Sequence, residues 1–467
     1  MPDSAISINS DTDSEISYKK HNSLKDDTLT ISTTISTAES SSYADDNDNS
    51  FEDLDRLIHE RHIKVTNCEA HFEDSEPDQS KLRTLLSLLK NLIGVKDIVS
   101  LRISLPSQLL EPIGNLEYWN YNDRPDFLAC IDDSDDPLER MFATIRWWYS
   151  KDLKFVKGKL IKPYNSILGE QFICHWNVAA PKFDKNGHFI NNDETSSKNY
   201  LVTCLNEQIS HHPPVSAFHY NCEETGVSAY GIDHISAKFT GTTVKIGPGD
   251  QNKGVYINLA KRDNEEYLLS HPVASVQGWL KVSLYITVGE CCIVTCPKTK
   301  LKAILEYKDE RWIGKPKFAI EGKIFRYDPN NDDIKKLKSV DDKDVVAEIN
   351  GTWRGQVHAK RLDNKKTNLI VDLSELAPVP KIVKPIAKQG PLESRRVWRS
   401  VSAALFQKDY SKATKEKVAI EDRQRQLAAE AKARKEEFDP VYFKLPVTDG
   451  RPELKDKAYQ VLQNVNL

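Results

Sequence analysis

Two adjacent histidines, His211 and His212, lie in the string EQISHHPP at residues 207–214. Each proline fixes its own φ angle and biases the residue before it toward extended backbone, so the string predicts a rigid, extended segment. On an extended chain the two imidazoles would point to opposite sides, and no HxxxH or CxxC spacing lies nearby, so a zinc site is not expected. At the rim of a pocket the imidazoles could instead donate hydrogen bonds to a phosphate. A purely structural pair is the alternative interpretation.

A second polar cluster lies in the string KPYNSILGE at residues 162–170. Proline and glycine bracket a turn there, which would let the side chains of Lys162 and Asn165 converge on one ligand from its two ends. The GxxxxGK[ST] spacing of a nucleotide-phosphate loop does not occur in the sequence. An ordinary surface loop is the alternative interpretation.

Three charged residues, Lys417, Glu421 and Arg425, follow one another at steps of four. Because an α-helix has about 3.6 residues per turn, this spacing places all three on one stripe of a helix. In a solvated ladder, each ion pair would contribute only roughly a few tenths of a kcal/mol. In a binding site, Glu421 would hold the two cations so that both face a phosphate, and Arg425 would offer a planar fork of donors.

Residues from about 155 to 360 contain short segments rich in β-branched and aromatic residues, separated by Gly, Asn, Asp and Pro. Their alternation and turn spacing predict antiparallel strands in one large meander. Closure removes the edges of such a sheet, so a barrel is favoured, and a barrel of many strands has an interior wide enough for a ligand. The predicted strands include Ser228–Tyr230, Thr242–Ile246, Val255–Leu259, Val276–Val288, Cys292–Thr295, Lys302–Tyr307, Lys317–Phe325 and Asp344–Trp353.

Helical patterns lie on both sides of the strands. Apolar periodicity and helix-forming composition predict helices at Pro137–Tyr149, Glu393–Phe406 and Thr414–Glu437. Nearer the N-terminus, apolar residues recur with helical spacing up to Gly94, which predicts an amphipathic helix. A helix docked on the core is one interpretation of it. Its apolar stripe comprises Leu82, Leu85, Leu86, Leu89, Leu92 and Ile93.

The net charge of −4 conceals an acidic N-terminal segment attached to a basic body. Residues 1–80 contain 19 acidic and 6 basic residues, so the remaining chain carries a net charge of +9. Residues 1–78 are rich in Ser, Thr, Asp and Asn and are predicted to be disordered, with a transient helix at Phe51–Ile58. A basic body attracts anionic partners such as nucleic acid, anionic lipid or phosphorylated small molecules.

The sequence also limits the class of protein. No apolar stretch approaches the roughly 18 residues of a membrane span, and the first thirty residues lack the apolar core of a signal peptide. The 8 cysteines are scattered without a CxxC pair and are expected to be reduced. A cytoplasmic protein is therefore predicted.

Together the three motifs resemble those of the oxysterol-binding-protein-related family of lipid-transfer proteins. EQISHHPP resembles the family's signature string, KPYNSILGE is similar to its KPxNPxLGE element, and residues 417–425 match its KxxxExxxR element, all in the family's order. Ser166 stands where the family usually has proline, which loosens the turn but leaves Lys162 and Asn165 in place. The resemblance runs from roughly 81 to 445, so a short, fungal-type member with the lipid-binding domain alone is expected.

The resemblance implies an α+β fold in which a large, nearly closed antiparallel β-barrel surrounds a hydrophobic tunnel, with an N-terminal amphipathic lid helix and a C-terminal helical region. The expected segments are a disordered tail at 1–78, the lid and post-lid residues at 79–112, the barrel and its helices at 113–445, and a C-terminal tail at 446–467. The lid is expected to use Leu82, Leu85, Leu89 and Leu92. No catalytic residues, cofactor or metal are expected. The residues expected to bind the phosphoinositide head group are Lys162, Asn165, His211, His212, Lys417, Glu421 and Arg425.

The resemblance further implies a cytoplasmic carrier that exchanges phosphatidylinositol 4-phosphate for a second lipid. It would associate peripherally with membranes, at endoplasmic-reticulum contact sites, the Golgi or the plasma membrane. Sterol is expected as the second lipid and phosphatidylserine is the alternative, because Ser107 and Gln108 replace bulkier residues found in the post-lid segment of phosphatidylserine carriers. Anionic membrane surfaces are expected partners and nucleic acid is not. The acidic segment Ser42–Asp48 loosely resembles a motif that docks on endoplasmic-reticulum receptors.

Two other functions stay open. One is a phosphoinositide sensor that binds membranes but transfers no lipid. The other is a phosphoester hydrolase in which His211 or His212 acts with Glu170 or Glu207, although the sequence offers no recognisable set of nucleophile, base and orienting residue.

Overall fold

The chain is described here from a computed structural model that covers residues 52–58, 60, 110–151, 153, 156, 162–190, 199–240, 243–277, 285–308 and 318–464. The predicted lid residues Leu82, Leu85, Leu89 and Leu92 lie outside the described residues. So does the acidic segment Ser42–Asp48.

The strands in the described residues begin at the end of the KPYNSILGE string and continue to residue 372. They are β1 (Gln171–Ala179), β2 (Lys182–Phe183), β3 (Phe189–Ile190), β4 (Asn199–His211), β5 (Pro214–Cys222), β6 (Val227–Phe239), β7 (Val244–Pro248), β8 (Val255–Leu259), β9 (Glu265–Leu269), β10 (Val273–Gln277), β11 (Tyr285–Cys296), β12 (Leu301–Tyr307), β13 (Ala319–Arg326), β14 (Val345–Thr352), β15 (Gln356–Arg361) and β16 (Thr367–Asp372).

Within the described part of the chain, 14 of these strands form one sheet, and its paired strands run antiparallel. The order is β1-β4-β5-β6-β7-β10-β11-β12-β13-β14-β15-β16, and β8 and β9 form a second bridge between β6 and β11. The long strand β6 pairs with β8 through Val227–Gly231 and with β7 through Ile235–Phe239. Strand β11 is shared in the same way by β10 and β9. The pairings β6–β7–β10–β11–β9–β8–β6 therefore close a ring, and the predicted barrel-like α+β fold is confirmed.

Individual strand boundaries agree with the sequence to different degrees. Val255–Leu259 is found at its predicted bounds as β8. The single strand predicted at Val276–Val288 is wrong, because β10 ends at Gln277, β11 begins at Tyr285 and the two pair antiparallel, so the chain reverses between them. An apolar run with a central glycine reads the same whether the chain continues or turns.

From residue 110 onward, the α-helices in the described residues lie before and after the sheet. They are α1 (Asn115–Tyr118), α2 (Pro125–Ala129), α3 (Pro137–Ser150), α4 (Ser394–Val397), α5 (Arg399–Phe406), α6 (Tyr410–Arg434) and α7 (Asp456–Gln463), with 3₁₀ turns at Ala260–Arg262, Leu337–Ser339, Asp342–Asp344 and Ile386–Lys388. No helix among them is long and apolar enough to cross a membrane.

Helix α3 anchors the core. It begins where the Asp136 carboxylate accepts a hydrogen bond from the Leu138 backbone N at 2.9 Å, with a proline in the first turn. Its buried face packs on the sheet, where Trp148 Nε1 donates to the Tyr307 hydroxyl of β12 at 3.1 Å. The largest buried apolar cluster joins α2 and α3 to strands from β1 to β16. The cysteines in the described residues are free.

The C-terminal helices differ from the predicted boundaries. The helix predicted at Glu393–Phe406 is divided into α4 and α5 at Trp398, which has non-helical backbone angles. Helix α6 begins four residues before the predicted Thr414, because the Asp409 side chain accepts a hydrogen bond from the Lys412 backbone N and caps it. The predicted tail at 446–467 is wrong for its described part: α7 and Leu454 pack with β4 and β5 in a second apolar cluster.

The described part of the predicted N-terminal tail is also more ordered than expected. Residues 52–58 form the helix predicted there, but the helix is docked rather than transient. Ile58 is buried, and the Asp55 carboxylate accepts a hydrogen bond from the Ile386 backbone N at 2.6 Å. One buried apolar side chain and one carboxylate acceptor are too weak a signal to recognise in an acidic, serine-rich sequence.

Candidate functional site

The KPYNSILGE string forms an irregular segment before β1, here called the lysine loop (residues 162–170). Lys162 Nζ donates to Asn165 Oδ1 at 2.7 Å, so these two side chains bond to each other directly. Tyr164 between them is buried, and its hydroxyl lies 2.9 Å from Ser402 Oγ of α5. Burial, together with the Lys417 ammonium nearby, lowers the pKa of Lys162 to about 8.

Glu170, at the end of the lysine loop, is fully buried. It joins the loop to Ser394 of α4 and to Trp398, the residue that follows α4. Its Oε2 accepts hydrogen bonds from Ile167 N at 2.9 Å and from Trp398 Nε1 at 3.1 Å, and its Oε1 accepts one from Ser394 Oγ at 2.7 Å. Burial raises the pKa of Glu170 to about 7, although these donors oppose the shift.

The EQISHHPP string spans the end of β4 and the start of β5. The chain reverses there, because His211 pairs with Pro214 and Ser210 Oγ donates to the Pro213 carbonyl at 2.7 Å. The two imidazole rings lie with centroids 4.4 Å apart. The prediction of an extended segment with the imidazoles on opposite sides is therefore wrong, since a tight turn between two strands, here called the histidine turn (residues 211–214), brings them together.

The third motif lies on α6, as its spacing predicted. Lys417 is buried although it lies on a mostly exposed helix, and its Nζ donates to Glu421 Oε1 at 2.7 Å. Arg425 Nη2 lies 3.6 Å from Glu421 Oε2, but its guanidinium also bonds Asp422 and its side chain is 66% exposed. Glu421 thus lies between two cations as expected, and Arg425 is the more solvated of them.

Backbone bonds connect the motifs. Gly169 N, in the lysine loop, donates to the Gln208 carbonyl at 2.9 Å, and Gln208 N donates to the Glu170 carbonyl at 2.8 Å. Gly169 has φ +77, a left-handed conformation that favours glycine. The lysine loop therefore runs beside β4 three residues before the histidine turn, and it packs on α6, where Tyr164 and Ile167 share a buried apolar cluster with Ala413.

Glu207 has a role that the sequence did not reveal. It is fully buried on β4, where its Oε1 accepts a hydrogen bond from Val441 N at 2.6 Å and its Oε2 accepts one from Tyr442 N at 2.8 Å. Burial raises its pKa to about 7. Both oxygens of Glu207, like both oxygens of Glu170, are occupied by donors from the fold, so neither carboxylate is placed to act as the base of a hydrolase.

A group of metal-ligating side chains does occur among the described residues, but away from these motifs. One ligand atom each from His188, Asp372 and Glu375 lies within 4.8 Å of the others. His188 Nδ1 is 3.2 Å from Glu375 Oε2, an exposed ion pair between the β2–β3 hairpin and the residues after β16.

Comparison with known proteins identifies the family whose members this chain resembles. The family model for oxysterol-binding protein matches residues 84–406. Oxysterol-binding protein-like protein 1 of Schizosaccharomyces pombe is 38% identical, over 86% of this chain and 95% of its own length. Oxysterol-binding protein-like protein OBPa of Candida albicans is 30% identical, over 78% of this chain and 77% of its own length.

Two solved structures share the fold. The Osh1 ORD domain in complex with cholesterol has a TM-score of 0.60 at 17% identity, covering 89% of this chain and 97% of that one. The Osh3 ORD in complex with PI(4)P, from Saccharomyces cerevisiae, has a TM-score of 0.55 at 18% identity, covering 82% of this chain and 93% of that one. With the matching motifs, the family match and the sequence identity to the fungal relatives, this chain belongs to the oxysterol-binding protein family.

Proposed function

We propose that the protein is a lipid-transfer protein that extracts phosphatidylinositol 4-phosphate from one membrane and exchanges it for a second lipid, sterol in preference to phosphatidylserine. The observation that carries this is the packing of the lysine loop on α6, where Tyr164 and Ile167 share a buried apolar cluster with Ala413. The half-buried Lys162 and the buried Lys417 lie on these two elements, which come from distant parts of the chain. Glu421 offsets part of this positive charge at Lys417, and a phosphomonoester bound beside both ammonium groups would offset the repulsion that remains.

The proposed head-group site comprises Lys162, Asn165, His211, His212, Lys417, Glu421 and Arg425. Each charge-assisted hydrogen bond to phosphate would contribute roughly 1.5–3 kcal/mol, so several converging donors select strongly for a phosphorylated head group. Because Arg425 is largely solvated, we assign the larger contributions to Lys162, Lys417 and the histidine turn.

The apolar part of the lipid would lie in a tunnel inside the barrel. Exposing it to water costs on the order of 25 cal/mol per Å², so a carrier must enclose it. A bilayer already shelters the same surface, so the apolar contribution nearly cancels on transfer and the head group decides which lipid is taken. Leu82, Leu85, Leu89 and Leu92 would close the entrance and rest on the membrane when open.

The nature of the second lipid is supported by the neighbouring folds. Osh1 ORD structures hold cholesterol or ergosterol, and the Osh3 ORD structure holds PI(4)P. The family is one of lipid-binding proteins rather than enzymes. A body of net charge +9 outside residues 1–80 favours the anionic cytoplasmic surface of membranes, at about 1 kcal/mol per well-placed cation. Peripheral association with endoplasmic-reticulum contact sites, the Golgi or the plasma membrane, and a receptor for Ser42–Asp48, belong to the same proposal.

The test is lipid extraction from phosphatidylcholine vesicles that contain phosphatidylinositol 4-phosphate. We expect His211→Ala combined with His212→Ala to abolish extraction while the far-UV circular dichroism stays unchanged. His188→Ala, an exposed histidine outside the motifs, is the matched control and should extract normally. Undiminished extraction by the double variant would reject the site. Vesicle binding by the wild type without extraction would instead identify a sensor, and release of inorganic phosphate would identify a hydrolase.

A further inference from the structure

Buried carboxylates hold both ends of the segment that carries Lys417 (residues 394–442). Glu170 holds its N-terminal end, here called the near end, and Glu207 holds its C-terminal end, here called the far end. We infer that Glu207 is a positioning residue for the phosphate site: it would not touch the head group, but it sets where α6 lies relative to the histidine turn. This inference rests on the proposed function.

The near end of the segment is fixed through Glu170. Its carboxylate binds Ser394 and Trp398, which precede α6, while its own backbone belongs to the lysine loop. Displacing α4 and α5 would therefore displace the loop that carries Lys162 as well.

The far end is fixed through Glu207. Val441 and Tyr442 follow Arg434, the last residue of α6, by seven and eight positions, and both backbone N–H groups donate to the same carboxylate on β4. Between them, Phe438 packs with Ala431 of α6 and with Leu168 of the lysine loop. Helix α6 thus has one attachment to the lysine loop and another to the strand that ends at His211.

The two attachments lie side by side. Gln171, the residue after Glu170, is paired with Glu207 in the β1–β4 register, and Gln208 N donates to the Glu170 carbonyl. The anchors of the lysine loop, the histidine turn and α6 are therefore concentrated at one point of the sheet. A change at Glu207 would reach the phosphate site through α6 and not through direct contact.

A carboxylate suits this position because two parallel N–H donors need two acceptors. A glutamine would satisfy one donor and turn its own NH₂ group toward the other. Burial disfavours the charge of Glu207, with Lys455 and the backbone N–H groups of residues 441–443 opposing that effect. Burying a carboxylate costs free energy that an apolar side chain of similar size would not cost. The presence of Glu207 here therefore fits a positioning role better than a space-filling one.

The test uses the full chain with Glu207→Gln and Glu207→Asp, and vesicles that contain either phosphatidylinositol 4-phosphate or sterol. Glu265→Gln is the matched control, because Glu265 is another buried carboxylate, which lies on β9 and binds Arg140 of α3. We expect Glu207→Gln to slow extraction of phosphatidylinositol 4-phosphate about tenfold or more, a ratio typical of losing one hydrogen bond to a charged group. Sterol extraction should change less than about twofold, and Glu207→Asp should fall between.

Amide hydrogen exchange provides the second measurement. In Glu207→Gln we expect faster exchange at residues 435–444 and along α6, and in Glu265→Gln no change there. Equal loss of both lipids, or no loss of either, would overturn the positioning role, as would unchanged exchange. If the wild type extracted no phosphatidylinositol 4-phosphate, the proposed function would fail, and the exchange data would still decide whether Glu207 fixes α6.

Discussion

The Tyr164 ring stacks on the Trp398 indole, with centroids 4.7 Å apart and planes inclined by 22°. The indole also donates its Nε1–H to Glu170 Oε2 at 3.1 Å. One tryptophan between α4 and α5 therefore supports the lysine loop in two ways, through apolar stacking and through a hydrogen bond to a buried carboxylate.

These two contributions can be separated by substitution. Trp398→Phe keeps an aromatic ring but removes the N–H, so we expect it to lower the free energy of unfolding by about 1 kcal/mol, because Glu170 keeps two other donors. Trp398→Ala also empties the site, and we expect a loss of about 3–5 kcal/mol. Urea denaturation measures both. Equal losses in the two variants would show that the stack contributes little.

The lowered pKa of Lys162 predicts a pH dependence. With a pKa of about 8, Lys162 in the free protein loses its charge as the pH rises through that value. Extraction of phosphatidylinositol 4-phosphate should therefore fall between about pH 7 and about pH 9. Lys162→Arg stays charged across this range, so its profile should be flatter, and sterol extraction should be flat in both proteins. If extraction by the wild type and by Lys162→Arg fell in the same way with pH, a group other than Lys162 would cause the decline.

Two lysines on α6 allow a direct comparison. Lys417 is buried and bonded to Glu421, whereas Lys415 on the same helix is exposed. We expect Lys417→Ala to reduce extraction of phosphatidylinositol 4-phosphate by about tenfold or more and Lys415→Ala to change it less than about twofold. The initial extraction rate from vesicles is the measurement. A surface ladder would give similar small effects for both variants.

His219 predicts a change of stability with pH that does not involve the lipid. Its ring on β5 stacks parallel to Tyr230 at 5.9 Å, and burial lowers its pKa to about 4. An unfolded histidine titrates near about 6.5, so on acidification the unfolded chain takes up the proton first. The contribution of His219 is thus complete above about pH 6.5 and is lost progressively toward pH 4, by up to about 3 kcal/mol.

Urea denaturation of His219→Phe checks this expectation, because phenylalanine keeps a flat ring and cannot titrate. The free energy of unfolding of the wild type should fall relative to the variant between about pH 6.5 and about pH 5. A constant difference across this range would contradict the prediction.

The sequence predicted those features that depend on local chemistry. Alternating strands such as Val255–Leu259 were found, because their patterning and their flanking turns agree. The proximity of Lys162 and Asn165 follows from their spacing of three residues across a turn, whereas their convergence on a ligand stays a prediction. The Lys417–Glu421 pair followed from helical spacing alone.

Features that depend on long-range contacts were missed or wrong. The reversal at the histidine turn depends on pairing between β4 and β5, which two prolines in a row do not reveal. The anchoring of Glu207 by Val441 N and Tyr442 N involves backbone donors, which have no sequence signature. Docking of residues 52–58 likewise depends on the backbone of Ile386. Tertiary context decides such contacts, and residue type does not.

The bond between Glu207 and Val441 joins residues 234 positions apart. During synthesis β4, which carries Glu207, leaves the ribosome long before the donors Val441 N and Tyr442 N have been made. Until then a carboxylate destined for the interior has no partner there, so the nascent barrel must leave this corner open to water. The proposed phosphate site is therefore expected to form late in folding, after residues 441 and 442 have been released.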